Sequence, residues 1–139
     1  METSVELITA PGLATAPYPY AAVVRGASNI IFTAGACPLD EDGHTVAVGD
    51  FAGQAEQVMV NLKAALLAAG ADLTDVVKTT VCVASATRDD LVTAWDVVHR
   101  YFGDHQVPST LLGVATLGYP DQLVEVDAVA VRRSSCSRR

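Results

Sequence analysis

Positive charge is scarce in this chain and unevenly placed. Nine lysines and arginines face sixteen acids in 139 residues, and four of the nine (Arg132, Arg133, Arg138 and Arg139) crowd the last eight positions, beyond every acid. The body of the protein is therefore acidic. A nucleic-acid binder needs a basic surface to neutralise phosphates, so this body is expected to repel RNA and DNA. The terminal RRSSCSRR, residues 132–139, could touch an anion, but a short Ser/Arg terminus reads as a solvated, flexible basic tail.

Cysteine and histidine are equally sparse. Cys37, Cys82 and Cys136 form no CxxC pair and leave one thiol over, which argues against a disulfide framework or a zinc site and for reduced thiols. His44, His99 and His105 have no ligand-like spacing, so no metal is expected. No run of about eighteen apolar residues and no charged-then-apolar leader occurs, which points away from a membrane span or secretion and makes a cytoplasmic location the default.

Half of the residues are hydrophobic, enough for one domain with a real core, expected over residues 1–131. Glu6 to Thr9 reads as a short strand, followed by the irregular PGLATAPYPY, whose Tyr20 begins the next strand. AAVVRG and NIIFTAG, separated by Ala27 and Ser28, read as a β-hairpin, and PLDEDGHTV as a turn with Asp42-Gly43 at its tip. A first helix is expected to start with Asp50 as N-cap, to carry Phe51, Ala55, Val58, Leu62, Ala65 and Leu66 on one apolar face, and to stop at Gly70. VVKTTVCVA alternates as a strand. A second helix has Thr87 as N-cap with Asp90 three residues on, and the face Leu91, Trp95, Val98 and Phe102 before Gly103. The order of strands, helix, strand, helix and two strands suits an α+β fold with both helices on one face of the sheet. The other face, with Leu112, Val114, Val129 and Val131, is left apolar and uncovered, which predicts self-association.

The last strand holds the most informative residue. In LVEVDAVAV, Val124, Val126, Ala128 and Ala130 lie on one face, and Leu123, Glu125, Asp127, Val129 and Val131 on the other. A carboxylate such as Glu125 on a largely apolar strand needs a hydrogen-bond partner, a proton or a polar cavity, because burying it bare costs several kcal/mol. Either a satisfied structural acid or a working one fits that position.

Pro19-Tyr20, IIFTAGACPLDEDG (30–43), QAEQVMVNLKAALLAAGADLTDVVKTTVCV (54–83), WDVVHRYFGDHQVPST and LVEVDAVAV together resemble the Rid (YjgF-like) family, many of whose members hydrolyse enamines and imines. The resemblance implies a chorismate-mutase-like fold, a mixed sheet with two helices packed on one face. It also implies a homotrimer with pockets between subunits, a small-molecule substrate and no cofactor. Carried over residue by residue, the site would draw on Tyr20, Ala34, Gly35, Trp95, Thr110 and Glu125. Glu125 matches the family glutamate that manages the hydrolytic water, a role that an apolar pocket would support by favouring its protonated form. The pattern departs elsewhere. Thr110 stands where the family has a carboxylate-binding arginine, Trp95 where it has an asparagine, Leu112 where it has a cysteine, and Ala36 where it has a glutamine. A threonine cannot make the two-pronged contact of a guanidinium, so the resemblance implies imine or enamine chemistry on an altered substrate, or a cyclisation or elimination with Glu125 as base. A non-catalytic homotrimer that binds a metabolite or a partner protein is the alternative. Endoribonuclease action, attached to some family members, suits the acidic body least. Cys37, just past the turn, has no adjoining base and reads as an inert thiol.

Overall fold

A computed structural model describes residues 3–26 and 29–132. Strand β1 is Ser4–Ile8, β2 is Ala21–Arg25 and β3 is Asn29–Phe32. Helix α1 is Phe51–Ala68, β4 is Val76–Val83, α2 is Arg88–Phe102, β5 is Ser109–Gly113 and β6 is Val124–Arg132. The strands form two sheets, β1-β2 and β3-β6-β4-β5. All pairings are antiparallel except β4 with β5, whose parallel register requires the crossover that α2 provides.

Local chemistry accounts for most element boundaries. Asp50 caps α1 as expected, its carboxylate accepting from Gly53 N at 2.9 Å, and the chain leaves the helix through Gly70 at φ +85°, a left-handed turn that costs glycine little. The buried face of α1 is Gln54, Ala55, Val58, Met59, Leu62 and Leu66. Ala65, expected on that face, is exposed; the stripe runs through Met59 instead, one position round. For α2, Thr87 is the N-cap but its side chain makes no capping bond. Ser85 takes over: its hydroxyl accepts from Thr87 N at 2.9 Å and donates to Asp90 Oδ2 at 2.7 Å. The buried residues of α2 are Ala94, Val97, Val98 and Phe102, while Leu91 and Trp95 pack half-buried at the margin of the core.

The expected hairpin of AAVVRG with NIIFTAG is corrected. Its turn, Ala27-Ser28, lies outside the described residues, and β2 pairs with β1 whereas β3 pairs with β6. The proline-rich lead-in between β1 and β2 is held from both ends, by Tyr20 N donating to Ile8 O at 2.8 Å and by a contact of His99 Nε2 with Pro17 O at 3.2 Å. This seats Tyr18 edge-on against Trp95 of α2, with ring centroids 6.2 Å apart.

Both helices cover one face of the four-stranded sheet, over Val81 and Val83 of β4 and Val124, Val126, Ala128 and Ala130 of β6. The opposite face carries Phe32 and Ile30 of β3 at 76% and 60% exposure, Leu112 of β5 at 45%, and the half-buried Glu125, Asp127 and Val129 of β6. The expected uncovered face is therefore present with one correction: Val131 is buried, though outside the main core cluster. The basic tail, 133–139, lies outside the described residues. Among those described, no helix is long and apolar enough to cross a membrane.

Candidate functional site

Glu125 stands at the centre of the uncovered face because β6 is paired on both sides there. Its backbone faces Cys82 of β4 in register, and on the other flank Ala36 forms an isolated antiparallel bridge with Val126. Oε1 of Glu125 accepts from Cys37 Sγ at 3.4 Å and from Gln122 Nε2 at 3.3 Å. Among the described residues, Oε2 receives no protein hydrogen bond. The carboxyl lies directly against Gly35: a methyl group there would overlap Cγ, Cδ and Oε2 of Glu125. Gly35 is thus needed for close approach, and the backbone N–H groups of Gly35 and its exposed neighbour Ala34 take no part in the hydrogen bonding of the described fold.

Two glutamines fix this arrangement. Buried Gln122 accepts from Tyr119 N at 3.0 Å and donates to Val124 O at 3.1 Å besides reaching Glu125. Gln54, fully buried on α1, accepts from Leu123 N at 2.7 Å and donates to Asp121 O at 2.9 Å. The loop entering β6 is therefore bolted to the first helix, which satisfies backbone groups that would otherwise be buried without partners.

Cys37 belongs to the site without being fitted for nucleophilic attack. Its thiol donates to Glu125 and to Gly35 O, and burial, the Glu125 hydrogen bond and the Glu125 charge push its pKa up to about 11. A thiol held protonated at neutral pH is a hydrogen-bond donor, as the missing base suggested. Cys82, behind Glu125 in register, is raised by burial and by the charges of Glu125 and Asp127. Asp127 is itself raised, by burial first and by Glu125 second, with Lys78 opposing.

The remaining sequence candidates occupy two neighbouring clefts. Tyr20 and Thr110 line a cleft of about 450 Å³ together with Tyr18, Pro108 and Lys78. The Tyr20 hydroxyl donates to Ala14 O at 2.5 Å, inside the lead-in itself. Thr110 accepts from Lys78 Nζ at 2.7 Å. Trp95 lines a second cleft of about 310 Å³ with Tyr18, Pro17, Ser109 and Leu111, on the helix side of β5. Ser109 is structural, its hydroxyl sharing a hydrogen bond with Thr79 at 2.5 Å. Within one chain, then, Gly35 and Glu125 touch, Tyr20 and Thr110 share a cleft, and Trp95 stands apart from both. Sequence reasoning missed Gln122, Gln54 and Lys78. Only Lys78 left a trace, as a lone cation inside an otherwise uncharged strand.

For metals, Asp40, Asp42 and His44 alone among the described residues cluster at ligand-like spacing. They are exposed, and Oδ1 of Asp40 already accepts from His44 N and Asp42 N at 2.9 Å each, bonds that hold its pKa down and make this a turn motif.

Residues 9–132 match the family described as Endoribonuclease L-PSP. The chain is 32% identical over 123 residues to the human 2-iminobutanoate/2-iminopropanoate deaminase, covering 88% of this chain and 85% of that one. It is 32% identical over 127 residues to the 3-aminoacrylate deaminase RutC of Acinetobacter baylyi, covering 90% and 96%. The structure of YyfB, a Rid-family protein of unknown function from Yersinia pestis, superposes with a TM-score of 0.82 at 26% identity over 91% of this chain and 98% of that one. Two helices on one face of a mixed sheet, the chorismate-mutase-like arrangement, are thus shared along nearly the whole length, and the chain belongs to the Rid (YjgF/RutC-like) family.

Proposed function

We propose that this protein is a cofactor-independent enzyme that hydrolyses a small imine or enamine, with Glu125 managing the proton of the attacking water, and that it works as a homotrimer. One observation carries the reading most directly. Glu125 is anchored through Oε1 by Cys37 and Gln122 while, among the described residues, Oε2 accepts no hydrogen bond. A carboxylate fixed on one oxygen and free on the other is suited to orient a water and take its proton. In the proposed step that water adds to the imine carbon, the proton passes through Glu125 to the nitrogen, and the carbon–nitrogen bond breaks to give a carbonyl compound and ammonia. Gly35 packs directly against the carboxyl, and the N–H groups of Ala34 and Gly35, unused in the described hydrogen bonding, are the donors that would polarise the substrate in this reading. The deaminase relatives support the reaction class. Trimer formation is supported by the exposed Phe32 and Ile30 on the uncovered face.

Thr110 offers no guanidinium fork, so the substrate is held differently from one gripped by an arginine. Endoribonuclease action, named in the family description, has less support here: the chain carries a formal charge of −7, the sign that opposes phosphate binding.

The test uses 2-iminobutanoate generated in place by an amino-acid oxidase, with ammonia and 2-oxobutanoate release followed over the spontaneous rate. Acceleration that disappears in Glu125→Gln, with the thermal midpoint moved little, is the expected result. No acceleration of this imine or of a neutral one would favour the non-catalytic binding trimer. A Glu125→Gln protein that melts far below the wild type would return the glutamate to a structural role.

A further inference from the structure

The cleft beside Trp95 has walls that the hydrolytic reading does not use. Among the described residues β5 pairs with β4 alone, and two clefts meet around its open edge. Tyr18 and Ser109 line both, whereas Trp95, Pro17 and Leu111 belong to the smaller one and Thr110 and Lys78 to the larger. Alternation along β5 explains the division, because Ser109 and Leu111 share one side of the strand and Thr110 and Leu112 the other. No charged side chain lines the smaller cleft. Its walls are aromatic. The half-buried rings of Tyr18 and Trp95 stand at 83° with centroids 6.2 Å apart, forming a corner rather than a stack. A flat ring laid against one of them presents its edge to the other, which combines the two arrangements that aromatic pairs prefer. His99 braces this corner: its ring lies 5.7 Å from that of Trp95, and its Nε2 contacts Pro17 O at 3.2 Å.

The polar groups of the cleft define its ligand further. The Ser109 hydroxyl is already engaged, with Thr79 at 2.5 Å and Val107 O at 3.2 Å. Among the described residues, the Trp95 indole N–H and the Tyr18 hydroxyl make no hydrogen bond, and neither is sealed from solvent. An indole N–H can only donate, so its complement is an acceptor. We infer that this cleft is a binding site for a small, uncharged aromatic molecule that carries a carbonyl-type acceptor. Its volume of about 310 Å³ lies at the small end for ligand pockets and suits one ring or two fused rings. An ionic group entering it would lose water without gaining a counter-charge from the walls. The inference goes beyond the hydrolytic reading, since it requires neither Glu125 nor turnover.

Trp95 is the only tryptophan of the chain, so intrinsic fluorescence reports on this cleft directly. Benzamide, an aromatic ring with a neutral carbonyl, is the probe. Cyclohexanecarboxamide keeps the carbonyl without the aromatic ring, and benzoate keeps the aromatic ring but carries a charge. Benzamide should change the emission saturably, and the other two should bind about fivefold or more weakly. Calorimetry then compares variants. Tyr18→Leu and Trp95→Leu should each bind benzamide about tenfold more weakly through loss of a ring wall. Trp95→Phe, which keeps a ring but loses the N–H, should bind it about threefold more weakly. Thr110→Val should bind it like the wild type, because Thr110 lines the larger cleft alone. No saturable response to benzamide, equal affinity for the three probes, or tighter binding of benzoate would overturn the inference. A loss in Thr110→Val as large as that in Tyr18→Leu would do the same, by placing the ligand in the larger cleft. If Trp95→Leu does not fold, Tyr18→Leu decides: unchanged affinity refutes the aromatic corner.

Discussion

Removing the charge of Glu125 should make the Cys37 thiol more reactive. The thiol stands at about 11 against an ordinary 9.0, and each pKa unit is tenfold in thiolate fraction. At pH 8 the folded protein therefore holds about one hundredth of the thiolate of an unperturbed cysteine. Burial is the largest of the three raising causes, which Gln122 opposes, and it survives the mutation, whereas the Glu125 hydrogen bond in its ionic form and the Glu125 charge do not. Glu125→Gln should accordingly recover only part of the hundredfold, about three- to tenfold in alkylation rate, since the thiolate is the attacking species. The assay is iodoacetamide labelling at pH 8 with peptide mass spectrometry, which separates Cys37 from Cys82 and Cys136. Cys82, which also feels Glu125 but makes no hydrogen bond to it, should respond less. Cys37 labelling unchanged or slowed in a folded Glu125→Gln protein would refute the coupling on which the site description rests.

Three further outcomes follow from the same geometry. Gly35→Ala should push the Glu125 carboxyl off its seat, costing about 1–3 kcal/mol by overpacking in urea unfolding and lowering turnover to near that of Glu125→Gln. The raised Cys37 pKa contributes stability that is fully present below pH 9 and lost as the pH rises through about 11, so from pH 8 to 10.5 the wild-type thermal midpoint should fall more than that of Cys37→Ser. Phe32→Glu should abolish the proposed trimer in sedimentation at micromolar concentration; a wild type that sediments as a monomer would contradict the reading of the uncovered face.

The parts of this fold that were legible in the sequence are those decided within a few residues. Asp50 caps α1 through a carboxylate three residues from its partner, and Gly70 ends it by conformation, both local events. The capping of α2 went to Ser85 because an equally short-range hydroxyl outside the expected window competed for Asp90. The β2 partner is not legible, because two adjacent β-rich runs carry no mark of whether they pair with each other or with distant strands. At the site, Glu125 was visible because an acid breaks the apolar alternation of its strand. Gln54 and Gln122 were invisible: a glutamine on a helix or in a loop has ordinary polarity, and only the fold shows that each is buried. Lys78 is hidden for a related reason, since a lysine in a strand reads as a solvated side chain until the partner strand brings Thr110 to it.

The bond network of Gln54 has a consequence for how this protein should fail under heat. One amide of the first helix holds both Asp121 and Leu123, so the segment that delivers Gln122 and Glu125 cannot loosen while α1 stays packed. Activity and global structure should then disappear in a single transition, with no warm, folded but inactive interval, and a midpoint of activity loss several degrees below the unfolding midpoint would show that the loop has a stability of its own.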